Sequence, residues 1–363
     1  MFSPTDYSHM ALALRLAEKG LFTTSPNPRV GCVLVRGGRV VGTGWHERAG
    51  EPHAEIHALH AAGAAACDAT AYLTLEPCSH HGRTPPCAEA LVRAGIARLV
   101  IAMQDPNPLV SGRGVKLLKD AGIKVQIGLK EAEARALNIG FIARMTRKRP
   151  WVRAKIAASL DGKTALANGA SQWITSDAAR RDSHRLRARS CAVLTGIGTV
   201  LADNPRLTVR HVQTTRQPLR VVVDSQLRIP LDAALLHGSG ELIFTANAAK
   251  RNILPLRDAG AHVVVLPGTS GEVDLERMMH TLADLGMNEV LVEAGSRLNG
   301  ALLNAGLVDE LVFYLAPSLI GETARGMFNL PPLHDLEHKR PLEVCDLRKV
   351  GPDIRIVARI SPT

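Results

Sequence analysis

His53 and Glu55 stand about two dozen residues before Cys78, and eight residues separate Cys78 from Cys87. One imidazole and two thiolates can hold a single Zn²⁺ through three protein ligands, leaving a fourth position for water. A glutamate beside the histidine that does not itself ligate can then move protons. Together these are the parts needed to remove an exocyclic amine hydrolytically from a nucleobase-like ring. The eight-residue gap is longer than the two-residue gap of the common short form. Two blander readings compete. In one, His80 or His81 completes a four-ligand structural zinc site, which leaves the placement of Glu55 unexplained. In the other, the agreement is chance, with His53 a solvated helix residue and the cysteines buried. His57 and His60 follow close behind, but no acid lies between His53 and His57 as in His-Glu-x-x-His, so both read as ordinary helix residues.

The elements that carry these groups are constrained by the chemistry. Residues two apart on a regular helix do not face the same way. His53 and Glu55 can serve one cavity only if His53 lies at a helix edge, and the preceding Gly50-Glu51-Pro52 supports a helix start there. Cys87 follows Pro85-Pro86 and should open another helix, whose positive end favours a thiolate. Around them the sequence predicts a helix over 6–19 stopped by Gly20, and strands over 30–35 and 39–44 joined at Gly37-Gly38. A helix over 53–66 follows, then a strand over 71–75 running into the cysteine loop, a helix over 87–94, a strand over 99–103 and a helix over 114–121. One long helix over 129–145 should end at the basic run and Pro150, and the apolar pattern restarts at Trp151. The boundary is expected near residue 147. Beyond it, strands are predicted over 152–158, 192–195, 220–224, 242–245, 263–266, 290–292, 311–315 and 354–360, with a helix over 178–189. Alternation of this kind argues for α/β layers.

At 363 residues the length favours two domains, and 46% hydrophobic content allows each a core. No apolar run of about 18 residues is present, so no membrane partner is expected. The start of the chain lacks a basic and apolar leader, so a cytoplasmic, reducing location is expected, with six cysteines as thiols or ligands. Cys32, Cys67, Cys191 and Cys345 read as small buried apolar residues. The net charge of +10 raises nucleic acid as a partner, but the basic residues are scattered and aromatics make up only 3%. The densest basic cluster, 144–149, falls where a linker is expected. No nucleic-acid partner is therefore expected.

Several stretches together resemble the bifunctional deaminase/reductase family of riboflavin biosynthesis over nearly the whole chain. In the first half these are 25–31 (Ser-Pro-Asn-Pro-Arg-Val-Gly), Gly44-Trp45-His46, 50–55, the cysteine loop, and 104–108 with Gly112 and Gly114. In the second half they are 155–163, 171–175, 196–205 and 292–296. The resemblance implies an α/β fold throughout: a cytidine-deaminase-like α/β/α sandwich over 1–147, then a dihydrofolate-reductase-like α/β domain over 148–363. It implies Zn²⁺ on His53, Cys78 and Cys87 with Glu55 catalytic, and substrate contacts from Asn27, His80 and Arg83. It further implies NADPH against Ala157, Trp173, Thr199, Asp203, Ser225, Gly295, Ser296, Arg297, Leu298, Asn299, Gly300 and Ala301. Ser171, Arg187, Leu207, Arg210 and Glu293 would line the second substrate site. Lys155 would hold sugar hydroxyls, and Asp161 would stabilise a cationic imine or relay a proton. The expected partner is a phosphorylated pyrimidine ribosylamine, and a homo-oligomer is expected.

Read without the resemblance, the second half is open. Residues 196–201 lack the third glycine of a dinucleotide fingerprint. Asp161-Gly162 is equally a turn and Lys155 equally a solvated strand residue. Two rival functions remain at this level: a nucleobase or transfer-RNA deaminase with an accessory binding domain, and a non-catalytic zinc module.

Overall fold

The computed structural model describes all residues except 80–85, 109, 239 and 361–363. It divides into two compact units, Met1–Lys148 and Arg149–Thr363.

In the first unit the elements are α1 (Pro4–Glu18), β1 (Gly31–Arg36), β2 (Arg39–Trp45), α2 (Ala54–Ala62), β3 (Thr70–Leu73), α3 (Cys87–Arg93), β4 (Arg98–Ile101), α4 (Arg113–Asp120), β5 (Lys124–Ile127), α5 (Glu131–Leu137) and α6 (Ile139–Arg147). The five strands form one sheet in the order β2-β1-β3-β4-β5, antiparallel across β2-β1-β3 and parallel from β3 to β5. Strand side chains alternate between faces. Cys32 and Leu34 therefore join Ala54 and Ala58 of α2, Ala88 and Leu91 of α3 and Leu118 of α4 in one core. Val33 and Val35 join Met10, Ala13 and Leu14 of α1 in the other. The sheet thus lies between two helical layers.

The long helix expected over 129–145 is broken. Asn138 has φ −107° and ψ 21°, between α5 and α6. Its side chain is used elsewhere: Oδ1 accepts from the Arg29 N–H at 2.8 Å and Nδ2 donates to the Arg29 carbonyl at 2.9 Å. The interruption therefore serves to pin the 25–31 loop. The basic run is not a linker either, since Arg144 and Arg147 form the last turn of α6 and Arg149 pairs with Asp309. Two cysteines expected in cores are exposed. Cys67 follows a 3₁₀ turn, and Cys345 lies on an edge strand at a register irregularity.

The second unit comprises β6 (Trp151–Ser159), β7 (Lys163–Ala165), α7 (Asp177–Arg189), β8 (Ala192–Gly196), α8 (Ile197–Asp203), β9 (Leu219–Val223), β10 (Leu242–Thr245), α9 (Lys250–Asp258), β11 (His262–Val265), α10 (Leu275–Asp284), β12 (Glu289–Val292), α11 (Ser296–Asn304), β13 (Glu310–Ala316), β14 (Arg325–Gly326), β15 (Leu342–Val350) and β16 (Asp353–Ile360). Nine strands run in the order β11-β10-β9-β8-β12-β6-β13-β16-β15, parallel from β11 to β13 and antiparallel thereafter. One face packs Val152, Ala154, Leu194 and Val292 on Met278 and Leu282 of α10 and Leu302 of α11. On the other face, Ile243 and Val263 meet Ile253 and Leu256 of α9, and Val312 and Tyr314 meet Ala179 of α7. Side chains of Leu or Ile buried in this way each contribute ~1.5–3 kcal/mol.

Candidate active sites

In the first unit His53 is the N-cap of α2, with an extended φ of −77° and ψ of 165°, and Glu55 lies in the first turn. The irregular edge lets both face one place, as their spacing required. Gly44 of β2 allows α2 to come this close, because a Cβ there would sit 2.3 Å from the Ala54 carbonyl oxygen. Cys78 follows β3 through the buried Leu75 and Glu76, and Cys87 is the first residue of α3. His53 Nδ1 lies 3.7 Å from Cys78 Sγ and 3.4 Å from Cys87 Sγ, and the Cys87 N–H donates to Cys78 Sγ at 3.3 Å. A tetrahedral Zn²⁺ with sulfur at ~2.3 Å and nitrogen at ~2.0–2.1 Å needs ligand atoms roughly 3.5–3.8 Å apart. The donor types and separations fit zinc.

The charges fit as well. The two thiols share one proton: the hydrogen bond from Cys87, helped by His53 and the Cys87 N–H, lowers the Cys78 thiol and in turn raises Cys87. Cys78 is the first of the pair to become a thiolate. Glu55 is 3% exposed, and burial pushes its carboxyl up to about 7 although the neighbouring His53 opposes this. A carboxyl near 7 can take and return a proton at neutral pH.

Two supporting contacts escaped the sequence reading. His46 Nδ1 donates to the Pro52 carbonyl at 3.1 Å, so its Nε2 is the acceptor facing Asn27 Nδ2 at 3.0 Å. His46 thereby fixes the amide orientation of Asn27. Their separation of 19 residues hides the pair; only the motif containing His46 hinted at it. Glu76 accepts main-chain N–H groups from Asp105 at 3.2 Å, Gly112 at 3.0 Å and Val115 at 3.2 Å. It ties the 104–114 stretch beside the cysteines. Gly114 completes the fit, because a Cβ there would lie 2.3 Å from the Pro77 carbonyl oxygen. His80 and Arg83 lie outside the described residues.

In the second unit the candidate residues gather at the carboxyl ends of neighbouring parallel strands, in the order β9-β8-β12-β6. Ligands of open α/β sheets bind at such ends. Ser225 follows β9, Thr199 and Asp203 lie on α8 directly after β8, and Glu293 to Gly295 connect β12 to α11. Ser296, Arg297, Leu298, Asn299, Gly300 and Ala301 are all on α11. Ser171 Oγ donates to Asp203 Oδ1 at 3.0 Å. A Cβ on Gly295 would lie 3.9 Å from Thr199 Oγ1, so the two segments approach each other. Trp173 is 70% exposed, with the Arg180 guanidinium 4.4 Å above its ring.

Glu293 is the centre of this cluster. Arg187 grips it with Nε to Oε1 at 2.6 Å and Nη2 to Oε2 at 3.0 Å, and Lys155 Nζ from β6 is 3.5 Å from Oε2. Burial alone would raise the Glu293 carboxyl, but Arg187 and Lys155 outweigh it and hold it far below the usual range. Ala157 is two residues on from Lys155 along β6. Two residues are placed differently from the rest. Leu207 has its side chain buried with Val193 and Leu291, leaving only main chain for a ligand. Asp161 accepts from Ser159 Oγ at 2.5 Å, from the Ile320 N–H at 3.1 Å and from the Gly321 N–H at 2.8 Å. Those bonds, led by Ser159, lower it to about 2.

Comparisons with known proteins agree with this division. Residues 3–103 match the cytidine and deoxycytidylate deaminase zinc-binding region, and residues 150–356 match the RibD C-terminal domain. The chain is 50% identical to the riboflavin biosynthesis protein RibD of Escherichia coli strain K12, covering 96% of this chain and 98% of that one. It is 44% identical to the Haemophilus influenzae protein of the same name, over 98% and 97% of the two chains. Among solved structures, Acinetobacter baumannii RibD superposes with a TM-score of 0.92 at 43% identity, covering 99% of each chain. A Thermotoga maritima diaminohydroxyphosphoribosylaminopyrimidine deaminase/5-amino-6-(5-phosphoribosylamino)uracil reductase superposes with a TM-score of 0.87 at 32% identity, over 98% and 99%. With the zinc-type cluster in one unit and the strand-end cluster in the other, the chain belongs to the RibD family, the bifunctional zinc-dependent deaminases and NADPH-dependent reductases of riboflavin biosynthesis.

Proposed function

We propose that residues 1–147 deaminate a diaminopyrimidinone ribosylamine phosphate, and that residues 148–363 then reduce the product, 5-amino-6-(5-phosphoribosylamino)uracil, to its ribityl form. The carrying observation is the convergence of His53, Cys78 and Cys87 beside the buried Glu55. Zn²⁺ held by those three ligands supplies the Lewis acidity that makes water nucleophilic near neutral pH. Glu55 takes the proton released by the attacking water and delivers it to the leaving amine. Asn27, its amide fixed by His46, orients the pyrimidine, with His80 and Arg83 assigned to the substrate and its phosphate by the resemblance alone.

In the second unit NADPH supplies the hydride, bound by Ala157, Trp173, Thr199, Asp203, Ser225 and the 295–301 segment. The protein contributes position and charge. A ring-opened imine at C1′ accepts hydride, whereas the closed ribosylamine does not. Lys155, fixed by Glu293, holds sugar hydroxyls. Asp161 stays ionised, which favours its electrostatic role at the cationic imine over a proton relay. Ser171 and the Leu207 main chain complete the pocket. Arg210 takes the phosphate as a guanidinium fork, and Arg187, whose Nε and Nη2 already grip Glu293, adds its remaining Nη protons.

Arg98, Arg153, Arg220 and Arg355 are committed to internal ion pairs, and aromatic residues for base stacking make up only 3% of the chain. No helix among the described residues is long and apolar enough to cross a membrane. These observations support a small-molecule partner rather than nucleic acid or membrane, for an enzyme of the cytoplasm. Leu342, Val344 and Leu347 are exposed on the edge strand β15, which supports a homo-oligomer closed over that edge. Incubating the purified chain with the diaminopyrimidinone phosphate tests the reading. Ammonia should appear without NADPH, and NADPH should be oxidised only after it. Oxidation of NADPH with no ammonia release would refute the order.

A further inference from the structure

The segment between α8 and β9 carries Arg210, and it is held by Arg187 together with two side chains, His184 and Gln217, that have no role above. Leu207 has φ +53°, a conformation uncommon for a non-glycine residue, and its side chain is anchored in the core. Each of the next three residues then has a main-chain group claimed by a side chain. Arg187 Nη1 donates to the Thr208 carbonyl at 2.9 Å. The Gln217 amide pairs with Val209 in both directions, accepting its N–H at 2.7 Å and donating to its carbonyl at 3.2 Å. The Arg210 N–H donates to His184 Nδ1 at 3.2 Å.

His184 is 4% exposed and precedes Arg187 by one turn of α7, so the two present to the same side. Because Nδ1 accepts, the ring proton is on Nε2 and the imidazole is neutral. Burial first, then the cations Arg187 and Arg210, push its pKa to about 4; His211 also lowers it and Glu293 opposes them. The His211 ring meets it edge-on at 4.9 Å. A neutral acceptor therefore sits among cations and holds the main chain of one of them. Burial and the nearby Arg187 and Arg206 lower the Arg210 guanidinium in turn, with Glu293 opposing them. Glu293 is already gripped by Arg187, so Arg210 is the cation that a further anion relieves.

We propose that His184 and Gln217 are positioning residues of the reductase, which lock the 208–210 main chain so that Arg210 and Arg187 stand at a fixed separation for one phosphate group. The proposal rests on the reading that those two arginines take the substrate phosphate. Its physical content is preorganisation. A loop freed at Val209 and Arg210 would let the guanidinium wander, and the ordering would then have to come from substrate binding.

The test uses the full chain and steady-state reduction of 5-amino-6-(5-phosphoribosylamino)uracil by His184→Phe, His184→Asn, Gln217→Ala and Arg210→Ala. His184→Phe keeps a ring but no acceptor, and Gln217→Ala removes an exposed side chain with little risk to folding. Each should raise the substrate KM roughly 5- to 50-fold, while kcat and the NADPH KM stay within about 2-fold. His184→Asn, whose amide oxygen falls near the Nδ1 position, should recover most of the loss. Combining His184→Phe with Arg210→Ala should cost no more than Arg210→Ala alone, since one acts through the other. Fully additive losses would overturn the positioning role. So would an unchanged KM in His184→Phe and Gln217→Ala alongside a raised KM in Arg210→Ala, an outcome that leaves the phosphate reading intact. If His184→Phe does not fold, Gln217→Ala decides by the same comparison. A silent Arg210→Ala would remove the phosphate reading and this proposal together.

Discussion

Glu55 has the surroundings of a proton carrier: a buried carboxyl raised to about 7, two residues from a ligand-type histidine. Glu55→Gln keeps the shape and loses the basic oxygen. It should bind zinc as the unaltered chain does, lose ~10²–10⁴-fold in deamination and reduce the deaminated substrate normally. Metal analysis beside both assays checks this, and near-normal deamination by the variant would remove Glu55 from the mechanism. The site was legible in the sequence to the extent that its residues are chemically uncommon. A histidine, a glutamate and two cysteines at these spacings have few other uses, so they announce themselves. His46 and His184 do not, because a histidine accepting or donating one hydrogen bond looks like any other until its partner is known. Asp161 was readable from its motif, but the hydroxyl and two main-chain N–H groups that hold its carboxylate in place were not.

Elements place these residues through close backbone approach and a few buried polar contacts. Gly44→Ala would drive a methyl group against the Ala54 carbonyl and displace the start of α2. Overpacking of this kind costs ~1–3 kcal/mol. A lower melting temperature together with reduced zinc content should follow, and a variant matching the parent in both would show that α2 is not held there. On the opposite layer, Asp6 of α1 accepts two hydrogen bonds from Arg98 at 2.8 and 3.0 Å and one from the Tyr72 hydroxyl at 2.7 Å. Arg98 above all holds the Asp6 carboxyl well below its usual 3.8 despite burial. Its folded pKa is depressed, so the stabilisation is present above the unfolded value near 4 and is lost as pH falls through the folded value. Asp6→Asn should be roughly 2–4 kcal/mol less stable at pH 7, and the gap should narrow below pH 4. Denaturant melts across that range would show it; a gap constant with pH would not fit. Strands that are continuous apolar runs were readable in advance, as in 30–35 and 290–292, because both of their faces are buried. The edge strands β5 and β15 were not, since their residues are partly or largely exposed and give no clear inward pattern. The break at Asn138 was hidden for another reason: its cause is a hydrogen bond to Arg29, which is 109 residues away.

Across the whole molecule, two consecutive reactions fall to two units that share no proposed residue. All proposed zinc ligands lie before residue 147 and every proposed hydride-site residue lies after it. A fragment of residues 1–147 that is folded by circular dichroism should therefore bind one zinc and deaminate. A folded, zinc-loaded but inert fragment would mean that the other unit completes the first site. Two domains were readable from length and from the restart of the apolar pattern at Trp151, because each half needs its own core. The assignment of NADPH was not readable from residue chemistry, since its proposed site is made of strand ends distant in sequence and lacks a glycine-rich signature. The most direct test of the central claim is the full-length Cys78→Ser variant, assayed separately with each substrate. Losing a thiolate should remove zinc and with it ammonia release from the diaminopyrimidinone phosphate. NADPH oxidation with 5-amino-6-(5-phosphoribosylamino)uracil should continue at the rate of the unaltered chain. Retained ammonia release at full rate would contradict the zinc site, and loss of both activities in a protein that remains folded would contradict two separate sites.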